Sequence, residues 1–252
     1  RIWGNAVEAL GVRLVSPTRP GYADSDPRPG RTVADAASDV RELLDHLGVE
    51  TFVTVGWSGG GPHALATAAL LPGRCRAAAT LAGIAPPWAE GLDFLAGMGA
   101  ENVAEFSAAM RGEAELTRWM EAEGAAYRAI ADDTLYAAFG SLLPPVDRKA
   151  LTGELVGAFA ATIREALAGG FRGWIDDDLA FVRPWGFAPK DVAVPAAVWQ
   201  GSLDMMVPFS HGRWLAGHVP GCAARLLEGE GHISLAAGRE RDIIAGLLEH
   251  AR

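Results

Sequence analysis

The stretch Val53-Thr54-Val55-Gly56-Trp57-Ser58-Gly59-Gly60-Gly61-Pro62 constrains this chain more than any other. A short β-branched run ends at Gly56, and an Ala/Leu-rich run suited to a helix begins after Pro62, so Ser58 is expected on the turn between a strand and a helix. Gly56 and Gly60 stand two residues to either side, where side chains are expected to collide with backbone if the turn is sharp enough to push the hydroxyl outward. The pattern is G-x-S-x-G.

Upstream, the apolar spacing from Ile2 to Leu10 predicts a helix stopped by Gly11, and Val12 to Ser16 reads as a short buried strand. The turn-rich segment from Pro17 to Pro27 is a loop. A helix is expected from an N-cap at Thr32 to Leu47, a strand at Thr51 to Gly56, the elbow helix to about Leu71, and a strand at Ala77 to Gly83. Short alternation of strand and helix means right-handed βαβ units, so the expected class is α/β with a mostly parallel sheet.

After Pro86-Pro87 the rhythm changes. Helical patterns at Glu101 to Met110, Glu113 to Ala131, Thr134 to Leu143 and Thr152 to Leu167 run without a convincing strand. This span is too long for a plain crossover, so residues 87–189 are expected to be an inserted helical cap on a core of residues 1–86 and 190–252. The sheet resumes at Ala196 to Gln200, followed by the loop Gly201-Ser202-Leu203-Asp204, a helix near Ser210 to Gly217, a strand at Ala224 to Glu228, the loop Gly229-Glu230-Gly231-His232 and one closing helix to His250.

A serine hydroxyl needs an imidazole as base and a carboxylate to fix the imidazole's tautomer. Asp204 and His232 each follow a late strand, and parallel strands bring such loops to one edge with Ser58. The order Ser, acid, His, with Gly56-Trp57-Ser58-Gly59-Gly60, Gly201-Ser202-Leu203-Asp204 plus Val207-Pro208, and Gly229-Glu230-Gly231-His232, resembles the α/β-hydrolase superfamily from the Arg19-Pro20-Gly21-Tyr22 loop to the last helix. The resemblance implies a serine hydrolase acting on a small, largely apolar ester, thioester or amide. In it Ser58 attacks, His232 takes the proton, Asp204 orients the imidazole and the Gly59 N–H donates to the oxyanion. Epoxide hydrolases and haloalkane dehalogenases of that superfamily carry an Asp where this chain has Ser58. Acyl transfer, perhydrolysis or C–C cleavage on the same triad is the second enzymatic expectation, and a non-catalytic binding protein the third. The family takes its second oxyanion donor from a loop ahead of the first helix, beyond three strands. This sequence opens at that helix, so a fragment of a longer enzyme is expected.

Trp57, Tyr22 and Trp185 are the pocket residues expected, the last among the aromatics Trp88, Phe94, Trp119, Trp174, Phe181 and Phe187. The expected partner is a small molecule, with no cofactor and no metal. A formal charge of -9 argues against nucleic acid and anionic membranes, which need a concentrated positive field. Apolar runs such as Ala64 to Leu71 are too short to span a bilayer, and a cytoplasmic location is expected. Cys75 and Cys222 read as free thiols. His63 reads as packed or capped beside the elbow, while His46, His211, His218 and His250 read as surface residues. The run Asp176-Asp177-Asp178 is expected at a helix start, answering the helix dipole rather than holding a cation.

Overall fold

The computed structural model describes residues 3–251. A short helix α1 (Gly4–Ala9) and a helix α2 (Asp35–His46) precede the first strand, β1 (Phe52–Trp57). Then come α3 (Gly60–Leu70) and β2 (Cys75–Leu81), a run of helices α4 (Ala100–Arg111), α5 (Glu113–Arg128), α6 (Leu135–Phe139), α7 (Pro145–Ala150), α8 (Glu154–Ala166) and α9 (Arg172–Val182), and then β3 (Ala196–Gly201). The chain closes with α10 (Phe209–His218), β4 (Ala223–Leu227), α11 (His232–Gly238) and α12 (Glu240–Leu248).

The strands pair in parallel in the order β1-β2-β3-β4. Because side chains alternate across a strand, Val53, Val55, Trp57, Ala77, Ala79, Leu81, Ala197 and Trp199 share one face, covered by Ile243 and Leu247 of α12. Ala78 and Val198 lie on the other face, against Leu65 and Ala68 of α3 and Leu215 of α10. The alanines of β2 are nearly fully buried, and their short side chains let helices close on the sheet from both sides.

Between β2 and β3, α4, α5 and α9 share a core of Ala108, Ala109, Leu116, Met120, Ile175 and Leu179. A second cluster, with Ile130, Leu135, Leu151 and Val156 at its centre, reaches down to Trp57, Met206 and Ile233 at the ends of the strands and their loops. The helical run is thus packed onto the sheet edge by apolar side chains from both sides.

Four readings from the sequence are corrected. Val12 to Ser16 is extended but forms no strand among the described residues, and Arg13, Leu14 and Ser16 are exposed. Among the described residues β1 is paired only with β2, so no strand partners this segment. Helix α2 begins at Asp35, whose carboxylate accepts the backbone N–H (2.7 Å) and hydroxyl (3.0 Å) of Thr32, so Thr32 is held by the first turn rather than capping it. The closing helix is broken at Arg239 into α11 and α12. The aspartate run falls in the second turn of α9, not at its start, and is buried.

Candidate active site

Ser58 sits between β1 and α3 with φ +55°, in the left-handed region that residues with a Cβ rarely enter. Its N–H donates to Leu81 O (2.9 Å), and its carbonyl accepts from Gly61 N (2.9 Å), which fixes the turn. A Cβ at Gly56 would overlap the Gly60 carbonyl and come within 2.8 Å of Gly61 N, so the glycine before the turn is obligatory. Gly60 is not, because an added Cβ meets nothing there. The second obligatory position is Gly61, where a Cβ would come 2.8 Å from Gly83 Cα as α3 crosses the end of β2. The steric expectation therefore holds for Gly56 but moves from Gly60 to Gly61. Among the described residues no backbone acceptor takes the Gly59 N–H, and the ring of Phe181 from α9 lies over that residue.

Asp204 and His232 meet at the same edge. His232 Nδ1 is 2.8 Å from Asp204 Oδ2, and both residues are buried. The aspartate is fully occupied. Its Oδ1 accepts the N–H groups of Met206 and Val207 (both 2.8 Å), and its Oδ2 also accepts Gln200 Nε2 at 3.1 Å. Both oxygens are thus engaged by donors. With Nδ1–H committed to that carboxylate, His232 Nε2 is left as the basic nitrogen. The acid and histidine loops are stitched together by Leu203 N–H to Glu230 O (2.9 Å) and Gly229 N–H to Ser202 Oγ (3.0 Å). A Cβ at Gly201 would come 2.6 Å from the Glu230 carbonyl carbon, so this close approach needs glycine.

Trp57, next to Ser58, lies with its ring centroid 5.3 Å from that of His232 and 6.0 Å from that of Phe159. No hydrogen bond joins Ser58 Oγ to His232 among the described residues, an arrangement common before substrate tightens a site. Asp204 and His232 are thus in contact, and Ser58 stands one residue from the tryptophan that flanks the imidazole.

Asp147, on α7, is a residue that the sequence did not single out. It is fully buried; its Oδ2 accepts His232 N–H (2.9 Å), and its Oδ1 accepts the N–H groups of Ile233 (3.0 Å) and Ser234 (2.9 Å). Burial pulls its pKa above the ordinary carboxylate value, while the N–H groups of Ser234 and His232 and the charge of His232 draw it back. A Pro-Pro pair ahead of a short helix marks the element but not the reach of its side chain.

Behind the site is a buried ionic cluster. Asp177 accepts from Arg19 Nη2 (2.6 Å), Arg31 Nη2 (2.7 Å) and Tyr22 Oη (3.0 Å), and stands 3.4 Å from His63 Nε2. Burial would raise the Asp177 pKa, but Arg19, His63 and Arg31 hold it far below the ordinary range. Asp176 pairs with Arg31 at 3.3 Å and with Arg172, while burial, then the charge of Glu105, pushes the Asp178 pKa well above the ordinary range. The triplet therefore joins the 19–31 loop, the elbow helix and α9; the charges of Asp176 and Asp177 are answered by arginines, and neither a cation nor the helix dipole is needed to explain them. His63 is packed, as expected, and also faces Asp177, which the sequence did not indicate.

Two pocket residues are placed elsewhere. The phenol of Tyr22 is committed to Asp177, with Arg19 over its ring at 5.2 Å. Trp185 is 1% exposed, packed among Val33, Ala66, Ile84 and Val207, with its indole N–H bonded to Phe181 O (3.0 Å). Of the three, only Trp57 borders the imidazole. His211, read as a surface residue, is fully buried: Nδ1 accepts Ala85 N–H (3.1 Å), Nε2 donates to Phe94 O (2.9 Å), and burial lowers its pKa to about 4.

Comparison with known proteins agrees with this architecture. A stretch of 78 residues is 30% identical to an uncharacterized hydrolase, YcgS, of Bacillus subtilis (strain 168), covering 31% of this chain and 28% of that relative's length. The crystal structure of the esterase RhEst1 from Rhodococcus sp. ECU1013 superposes with a TM-score of 0.65 at 20% identity, covering 99% of this chain and 86% of the other. A bromoperoxidase from Bacillus anthracis gives 0.67 at 20%, covering 98% and 86%. No described helix is long and apolar enough to cross a membrane. Residues 1–237 match the family described as alpha/beta hydrolase fold, and with the parallel sheet, the strand-to-helix turn at Ser58 and the paired late loops this chain belongs to that family.

Proposed function

We propose that the protein is a serine hydrolase that cleaves a small, largely apolar carboxylic ester through an acyl-enzyme intermediate. The observation that carries this reading is the buried 2.8 Å Asp204–His232 bond at the sheet edge where Ser58 occupies a left-handed turn. Ser58 Oγ attacks the carbonyl carbon and gives its proton to His232 Nε2; collapse of the tetrahedral adduct breaks the ester bond, and the imidazolium protonates the leaving alkoxide. Water then attacks the acyl carbon, again losing a proton to His232, and Ser58 is released with its proton restored. Asp204 holds the imidazole in the required tautomer and stabilises its charged form. The Gly59 N–H serves as one oxyanion donor; a missing donor of this kind costs about a hundredfold to a thousandfold in turnover.

Residues 87–189 act in this proposal as a cap on the core of residues 1–86 and 190–252. Trp57, Phe159, Met206 and Ile233 belong to one apolar cluster next to the imidazole, which suits an apolar acyl group better than a charged one. The test is labelling with a fluorophosphonate probe together with hydrolysis of p-nitrophenyl esters of graded acyl length. Labelling at Ser58, lost with turnover in Ser58→Ala, is the expected result; hydrolysis untouched by Ser58→Ala overturns it. A non-catalytic binding role is the second reading, favoured by the missing Ser58–His232 hydrogen bond, and the same labelling separates the two.

A further inference from the structure

Helix α11 begins at His232, so the first N–H groups of that helix, those of His232, Ile233 and Ser234, have no partner within it. Ordinarily the residue just before a helix accepts them with its own side chain. Here that residue is Gly231, which has none, and the place its Cβ would take, 2.6 Å from Asp147 Cγ, is filled by a carboxylate from α7, 85 positions before His232. All three N–H groups converge on Asp147. The residue His232 is therefore set by two carboxyl groups, Asp204 at Nδ1 and Asp147 at its backbone N–H. Glu230 stands further out, bonded to Ser234 Oγ (2.8 Å) and Arg239 (3.2 Å).

We infer that Asp147 is a positioning residue for His232, through which the helical insertion fixes the histidine loop of the core and adds a second negative charge behind the imidazole. The inference rests on the hydrolytic role proposed for His232. A displacement of about 1 Å at a proton-transferring group can cost about a hundredfold in rate, and loss of the carboxylate that accepts three N–H groups at the root of His232 permits one. The charge acts separately. An anion near an imidazole favours the imidazolium and raises the pKa at which the base is lost.

The experiment compares Asp147→Ala and Asp147→Asn in the intact protein, using p-nitrophenyl butyrate hydrolysis and titration of the His232 imidazole by NMR in a Ser58→Ala background. Asp147→Ala is expected to lower kcat by roughly ten- to a hundredfold with KM within about twofold. Asp147→Asn keeps one acceptor oxygen and is expected to recover part of kcat. Both are expected to move the acidic limb of kcat/KM and the NMR titration of His232 to lower pH, because both remove the charge. Should Asp147→Ala fail to fold, Asp147→Asn carries the test. Unchanged kcat and an unmoved titration in folded Asp147→Asn overturn the inference, as does a loss of rate that only follows the fraction unfolded. The NMR titration does not depend on turnover, so a failure of the hydrolase reading, seen as Ser58→Ala or His232→Ala leaving hydrolysis intact, is distinguished from a failure of this one.

Discussion

His232 Nδ1 reaches Asp204 Oδ2 at 2.8 Å while the other oxygen of the same carboxylate is held by the N–H groups of Met206 and Val207. That division predicts what Asp204→Asn does. The single amide oxygen has to stay with the two backbone donors, which turns the amide NH2 toward His232 Nδ1 and forces the proton onto Nε2. The imidazole then presents a donor to Ser58 where a base is required. Turnover of a p-nitrophenyl ester is expected to fall about a thousandfold to ten-thousandfold with little change in unfolding temperature. A loss under about tenfold, measured by steady-state kinetics on folded protein, contradicts the arrangement.

The three glycines around Ser58 are expected to behave differently. Gly60→Ala adds a methyl group into open space at the first residue of α3 and is expected to leave the fold intact or to stabilise it by up to about 1 kcal/mol through helix propensity. Gly56→Ala drives a methyl group into the Gly60 carbonyl, and Gly61→Ala into Gly83 and the Thr80 side chain, so both are expected to destabilise the fold by about 1–3 kcal/mol or more. Thermal unfolding of the three variants checks the order. If Gly60→Ala proves as damaging as Gly56→Ala, the turn is not built as described.

Most of the fold was legible because parallel strands and amphipathic helices leave local periodicities, and the Ser, acid and His loops each carry turn residues in sequence. What was not legible depends on distant partners. Val12 to Ser16 has the composition of a strand, yet pairing decides burial, and its neighbours leave it exposed. His211 lies on a helix like any surface histidine, and only the arrival of Ala85 and Phe94 from elsewhere buries it. Asp147 carries no local signal, because its meaning lies in N–H groups contributed by α11. The aspartates of α9 read in sequence as a helix-start run, and only the folding of Arg19 and Arg31 onto α9 shows that Asp176 and Asp177 are buried ion-pair partners.

The burial of His211 predicts an acid-sensitive fold. Its folded pKa, near 4, lies below the unfolded value of about 6.5, so between these values the unfolded chain binds more protons and stability falls as pH falls. From pH 7 to pH 5 this one group is expected to remove about 2 kcal/mol of stability. His211→Gln retains hydrogen-bonding groups without titrating; it is expected to be less stable at pH 7 but to lose less on acidification. Urea unfolding at the two pH values checks the difference of slopes, and parallel slopes would rule out His211 as the cause.

The Asp178–Glu105 pair predicts the opposite slope on the alkaline side. Glu105 Oε1 accepts the indole N–H of Trp174 at 2.6 Å; burial, then the charge of Glu105, holds the Asp178 pKa well above the ordinary range. A carboxyl whose folded pKa is raised holds its proton when the unfolded chain has already released it. Its contribution is therefore full below about pH 4, the unfolded carboxyl pKa, and is lost as pH rises through the folded pKa. Asp178→Asn supplies an N–H donor to Glu105 that needs no proton. The variant is expected to lose ground to the wild type in acid and gain on it in alkali, with the two stability curves converging or crossing as pH rises. Denaturant unfolding from pH 5 to pH 9 is the measurement, and a difference that does not change with pH shows that Asp178 does not hold its proton above the ordinary carboxyl range.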